Sequence, residues 1–229
     1  MKHKRSGTKE RILNASLELF NQHGERAMTT NHIAAYLGIS PGNLYYHFRN
    51  KEEILERLMQ AYGEELDSRF AMPAGQITLE MMFGYMDSVL ALLWRYRFLY
   101  INLAELLQRD PTLRDTYGAT QARFGGRIEA LLDALRQDGT LALSDDEVPD
   151  LAELLRLVVV SELNYQQVVA AGKPITEASV YRGVLHVLAL MRPYFSADAE
   201  DARQRLISHY KQRAQATALA PVTFEEQAS

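Results

Sequence analysis

An all-α fold follows from two features of this 229-residue chain. Apolar residues recur at helical spacing almost throughout, and sustained period-2 alternation is missing. The breaks between periodic stretches fall at Gly and Pro, which punctuate helices. The expected layout is a small three-helix head over residues 1–51, a fourth connecting helix over 51–70, a helical-bundle body over 71–213 and a loose tail over 214–229.

The first helix is expected over Thr8 to His23, where Ile12, Ala15, Leu19 and Phe20 make one buried face and Gly24 supplies the stop. Thr29 or Thr30 caps a short second helix whose inner side is Ile33, Ala34 and Leu37. Gly38 breaks it, and Ser40-Pro41 reads as the cap and first position of a third helix carrying Leu44 and Phe48 at i, i+4. Asn50 caps the fourth, with Ile54, Leu55, Leu58, Met59 and Tyr62 as its inner stripe. After a loop at 71–76 the body is expected as helices near 77–96, 98–108, 111–138, 147–171, 175–193 and 198–213.

One string has two readings. Gly38-Ile39-Ser40-Pro41-Gly42 spells G-x-S-x-G, the nucleophile elbow of serine hydrolases. An elbow needs a strand before the serine, and Asn31 to Leu37 have helical spacing instead. Pro41 also removes the backbone N–H that an oxyanion hole draws on. The helix-turn-helix reading asks for two short helices, a tight turn and apolar residues that lock the pair. Ala34, Gly38, Ile39, Leu44 and Phe48 meet it. Asn43, Tyr45, Tyr46 and His47 are then outward, where Asn can read an adenine edge and Tyr or His can reach phosphate and sugar. The expectation is a DNA reader, not an enzyme.

The run from R-I-L-N-A-S-L-E-L-F-N-Q-H-G through M-T-T-N-H-I-A-A-Y-L-G-I-S-P-G-N-L-Y-Y-H-F-R-N-K-E-E-I-L, within residues 8–58, resembles the DNA-binding head of the tetracycline-repressor (TetR) family. The resemblance implies an all-helical homodimer with a helix-turn-helix DNA-binding head and a ligand-binding and dimerisation body. It implies contacts to double-stranded DNA from Thr30 and Asn31 at the start of the second helix, and a reading surface of Pro41, Gly42, Asn43, Tyr45, Tyr46 and His47. Lys51 is implied as a phosphate clamp. Pro41-Gly42 stands where other members place Gln or Thr, which shifts base reading toward Asn43 and Tyr45. The arm Lys2-His3-Lys4-Arg5 is a candidate for added phosphate or minor-groove contacts.

The charge distribution agrees with a polyanionic partner. Residues 1–51 hold eight Lys/Arg against three Glu, while the whole chain is at −4, so a basic head sits on an acidic body. The chain has no cysteine, which excludes disulfides and thiolate metal sites. No apolar run follows the basic N-terminus and none is long enough to span a bilayer, so a cytoplasmic protein without membrane partners is expected. No cofactor or metal is expected, because no His/Asp/Glu set has metal spacing.

In the body, Leu151 to Ala171 carries only three charges and is apolar almost all round, and Val180 to Met191 has apolar residues on two faces. Helices near 147–171 and 175–193 are therefore the expected homodimer interface. A small-molecule effector is expected among Met82, Tyr85, Trp94 and Phe98, with Asn102, Glu105, Glu162 and His186 as polar anchors. The resulting expectation is a repressor released from a pseudo-palindromic operator by a small, largely apolar effector. The alternative is a ligand-independent regulator of the same fold.

Overall fold

In a computed structural model of the chain, residues 7–70, 77, 79–169 and 176–219 are described. The order of elements is α1 (Thr8–His23), α2 (Thr30–Tyr36), α3 (Pro41–His47), α4 (Lys51–Arg69), α5 (Leu79–Arg95), α6 (Arg97–Ile101), α7 (Leu103–Arg109), α8 (Pro111–Gln137), α9 (Glu147–Val169), α10 (Glu177–Met191) and α11 (Glu200–Leu219). Among the described residues, β-pairing amounts to one isolated antiparallel bridge, Leu141 with Phe195. The arm at Lys2 to Arg5, the loop at 71–76, the Gly172-Lys173-Pro174 break and residues 220–229 lie outside the described residues.

The chain forms two contact units: residues 1–72 with 91–127, and 73–90 with 128–229. The division does not follow a single cut near residue 71, because the segment 91–127 joins the head. In the first unit, Ile12, Phe20, Ile33, Leu44, Phe48, Ile54, Met59 and Tyr62 are almost wholly buried and make the core of the head. Ser16 is buried among them because its hydroxyl donates to Ile12 O at 2.7 Å, which satisfies it within its own helix. Further along, the Tyr62 and Tyr100 hydroxyls meet at 2.7 Å, and Gln121 donates to Tyr62. Burial pushes the Tyr100 phenol well above the usual tyrosine range.

The second unit packs α9 and α11 on α10 around Leu155, Leu163, Val180, Val184, Leu188, Leu206 and Tyr210. Tyr181 and Tyr210 stack at 6.4 Å, and Tyr210 donates to Asp87 at 3.0 Å. Gly183 permits close approach of α9 and α10: a Cβ there would lie 2.7 Å from Glu162 Cγ.

Two boundaries differ from expectation. The helix expected over 98–108 is split at Asn102, whose φ of −118° and ψ of 18° leave the helical region. Asn competes for local backbone groups and is a weak helix former, so a break there is inexpensive. The tail expected to be loose from 214 is helical to Leu219. Ala214, Gln215, Ala216 and Ala218 are good or tolerated helix residues, and the first breaker in sequence is Pro221.

Candidate nucleic-acid interface

The interface is built from the turn between α2 and α3. Leu37 ends α2 in the αR region, and Gly38 follows at φ +64°. Gly38 N–H donates to Ala35 O at 3.1 Å and Ile39 N–H to Ala34 O at 3.0 Å. These two bonds are the Schellman pattern, which occupies helix-end carbonyls and favours glycine in the left-handed position. Ser40 comes next as the cap of α3, with φ −69° and ψ 149°, its Oγ accepting from Asn43 N–H at 3.2 Å. Pro41 takes the first helical position, where a missing N–H costs nothing. Four consecutive residues thus close one helix and open the next. Ser40 follows a helix and not a strand, and its hydroxyl is engaged with the backbone.

The other caps fix the remaining orientations. Thr29, not Thr30, caps α2: its Oγ1 accepts from His32 N–H, and its own N–H donates to His32 Nδ1, each at 3.3 Å. Asn50 Oδ1 accepts from Glu53 N–H at 2.9 Å at the start of α4. Leu44 and Phe48 are buried, which turns the opposite side of α3 outward.

That outward side carries Pro41, Gly42, Asn43, Tyr45 and Tyr46, all exposed, with His47 half-buried. Tyr46 is 85% exposed and its ring lies edge-on to His47 at 5.1 Å. Tyr45 differs: its hydroxyl is 3.0 Å from Thr30 Oγ1, so it ties α3 to α2. Asn31 is exposed on the same end of α2. The aromatic and amide tips here can reach phosphates, sugars and base edges.

Lys51, expected as a phosphate clamp, is engaged within the protein. Its ammonium sits 2.8 Å from Glu25 Oε1 and donates to Glu25 O at 3.1 Å and Met28 O at 3.2 Å. An ammonium has three N–H donors, so all are occupied inside the protein, and the side chain is 20% exposed. In this arrangement it staples the α1–α2 loop to the start of α4. Sequence reasoning missed Glu25. Its residue is 1% exposed, and its carboxylate also meets Arg109 Nη2 at 2.9 Å. Burial acts to raise the Glu25 carboxyl, but the hydrogen bonds and charges of Lys51 and Arg109 outweigh it and hold it below the usual carboxylate value. The one available signal was an acidic residue directly after the stop glycine of α1, inside a basic head.

The eight expected effector contacts divide between the two contact units. Trp94, Phe98, Asn102 and Glu105 fall in the first unit, and Met82, Tyr85, Glu162 and His186 in the second. Phe98 packs on Phe20 at 5.3 Å and is head core. Glu105 pairs with Arg26 at 2.6 Å. Trp94 lies beneath the Arg97 guanidinium at 4.2 Å. Asn102 occupies the α6–α7 break. In the second unit Glu162 accepts from Gln166 and meets His186 Nδ1 at 2.9 Å, while Met82 and Tyr85 are half-buried on α5. Phe98, Glu105, Trp94, Glu162 and His186 thus each have a partner within the protein. Among the described residues no group of His, Cys, Asp and Glu could hold a metal ion, and no helix is long and apolar enough to cross a membrane.

Comparison with known proteins bears directly on this geometry. A solved TetR-family transcriptional regulator from Marinobacter aquaeolei VT8 is 36% identical, covers 90% of this chain and 98% of its own, and superposes with a TM-score of 0.80. The transcriptional regulator UidR of Escherichia coli K12 is 36% identical over 66 residues, 29% of this chain and only 34% of the relative, so that match spans about a third of UidR. A regulator from Saccharomonospora viridis, solved in complex with choline, shares the fold at 18% identity and a TM-score of 0.63, covering 82% of this chain and 97% of its own. The family model for the N-terminal region of bacterial regulatory proteins of the tetR family matches residues 12–58, and the model described as bacterial transcriptional repressor matches 61–202. With the second model alone spanning more than half of its length, the chain belongs to the TetR family of bacterial transcriptional repressors.

Proposed function

We propose that the protein is a homodimeric, cytoplasmic repressor that binds a pseudo-palindromic operator with α3 and leaves it when a small effector occupies the body. The observation that carries the DNA half is the outward face of α3, with Asn43 exposed and Tyr46 85% exposed on a seven-residue helix capped at its start and locked by Leu44 and Phe48. Two such helices in a dimer enter successive major grooves about 34–36 Å apart. The test is selection of duplexes from a random-sequence library by the wild-type protein, then titration by fluorescence anisotropy. A palindromic consensus should emerge, and Tyr46→Ala and Asn43→Ala should each weaken binding about tenfold or more, in line with about 1–3 kcal/mol per lost base contact. The reading is refuted if the wild type enriches no sequence, or if both variants bind the selected duplex like the wild type.

The dimer half is supported by α9. Leu154, Leu157, Tyr165 and Val168 are between 43% and 80% exposed and recur at helical spacing, so they form one apolar stripe. Arg182, His186 and Ala189 are exposed on the neighbouring α10. A stripe of that composition along a 23-residue helix is what a second copy covers in a four-helix interface. The effector half is supported by the choline-bound relative of the same fold. A ligand can release DNA only by binding the DNA-incompetent state more tightly than the competent one.

A further inference from the structure

The buried Glu25 carboxylate begins a continuous polar chain that ends on the reading helix. Arg109 Nη2 at the end of α7 meets Glu25 Oε1 at 2.9 Å, and Lys51 Nζ meets the same oxygen at 2.8 Å. Lys51 then holds Met28 O at 3.2 Å, directly before Thr29, the cap of α2. The next residue, Thr30, bonds the Tyr45 hydroxyl at 3.0 Å. Every member lies in the first contact unit. An ionised carboxylate at 1% exposure is retained only with partners of this kind, since an unpaired buried charge is strongly unfavourable.

We propose that Glu25 is a positioning residue for DNA recognition: without touching DNA, it holds Lys51 off the phosphates and sets Thr30 and Tyr45 in register for the operator. The proposal rests on the DNA-binding reading above. It also makes Arg109, on α7, a residue whose loss is felt at α3. The arrangement has a chemical logic. Three acceptors fix an ammonium that points at the loop, and the loop fixes the cap from which α2 starts. Tyr45 then borrows its position from α2 through one hydroxyl pair. Removing the carboxylate frees both cations and leaves Met28 O and the cap to find other partners.

The experiment uses the full chain and the duplex selected by the wild type. Lys51→Met and Arg109→Gln are measured beside Glu25→Gln; Arg109 is 39% exposed, so its replacement leaves the core intact even where the Glu25 variant fails to fold. Each variant should bind five- to twentyfold more weakly while its helical circular dichroism is unchanged. The slope of log K against log salt should stay that of the wild type for Lys51→Met, whereas loss of a phosphate-contacting lysine lowers the slope by about 0.9. In a Tyr45→Phe background, Arg109→Gln should cost nothing further, because the end of the chain is already cut. A general loss of stability would cost the same in both backgrounds. Wild-type affinity for Arg109→Gln and Lys51→Met, a slope reduced by about one unit, or losses that multiply with Tyr45→Phe would each overturn the proposal. A wild-type protein that selects no duplex would instead overturn the DNA-binding reading beneath it.

Discussion

Replacing Gly38 by alanine isolates one physical cost at the centre of the turn. A Cβ built there meets no heavy atom within 4 Å, so the substitution is sterically open. What it does not fit is the backbone, because Gly38 sits at φ +64°. An L-residue in the left-handed region costs about 1–2 kcal/mol. Alanine also stiffens the unfolded chain, which returns about 0.4–1 kcal/mol. The net expectation is a loss of about 1 kcal/mol, roughly a fivefold change in the ratio of folded to unfolded protein. Urea unfolding followed by circular dichroism, at one fixed protein concentration, measures it through a lower midpoint at unchanged slope. Gly38→Asn should recover much of the loss, since Asn tolerates the left-handed region. Gly24→Ala should cost more, about 2–3 kcal/mol, because φ 81° and ψ 145° lie close to a region that is essentially glycine's alone. If Gly38→Asn proves as damaging as Gly38→Ala, or Gly38→Ala costs over about 3 kcal/mol, backbone conformation is not what selects glycine here.

Three further outcomes test other parts of the structure. Leu157→Glu, placing a charge on a 61% exposed apolar position of α9, should shift the protein from dimer to monomer in analytical ultracentrifugation with its helicity kept; an undisturbed dimer would remove α9 from the interface. Gly63→Ala should destabilise by about 1–3 kcal/mol, because its Cβ would lie 2.8 Å from Thr120 Oγ1, and Thr120→Ala should restore most of that in a thermal melt. The Glu25 carboxyl is held below its ordinary value, so its contribution is complete above about pH 4.3 and is lost as pH falls through the lowered value. Glu25→Gln should therefore show a shallower acid destabilisation than the wild type in pH-dependent unfolding below about pH 5.

The head was readable because its information is local. Gly38, Ile39, Ser40 and Pro41 each do their work within five residues of chain, and their residue types name the caps they form. Long-range pairing was not readable in this way. Lys51 looked outward because the sequence shows its charge but not the Glu25 and Met28 oxygens that close on it from 26 and 23 residues away. The partners of the effector set were hidden for a related reason. Helical spacing marks Phe98 as buried, but it does not say whether the far side is a cavity or the ring of Phe20. The Asn102 break and the extension of α11 to Leu219 turned on small differences in helix propensity, which a boundary drawn from periodicity does not weigh.

The stripe on α9 has a consequence for how stability itself is to be understood. Val168 at 80% and Leu157 at 61% exposure leave apolar surface to water. In the proposed dimer a second copy covers that stripe, and the free energy of the folded state then contains a term in protein concentration. A tenfold dilution withdraws about 1.4 kcal/mol per mole of dimer, as much as a core methylene or more. The melting temperature becomes a property of a solution instead of a chain. In a cell making few copies of the protein, the amount present and the amount folded would rise and fall together.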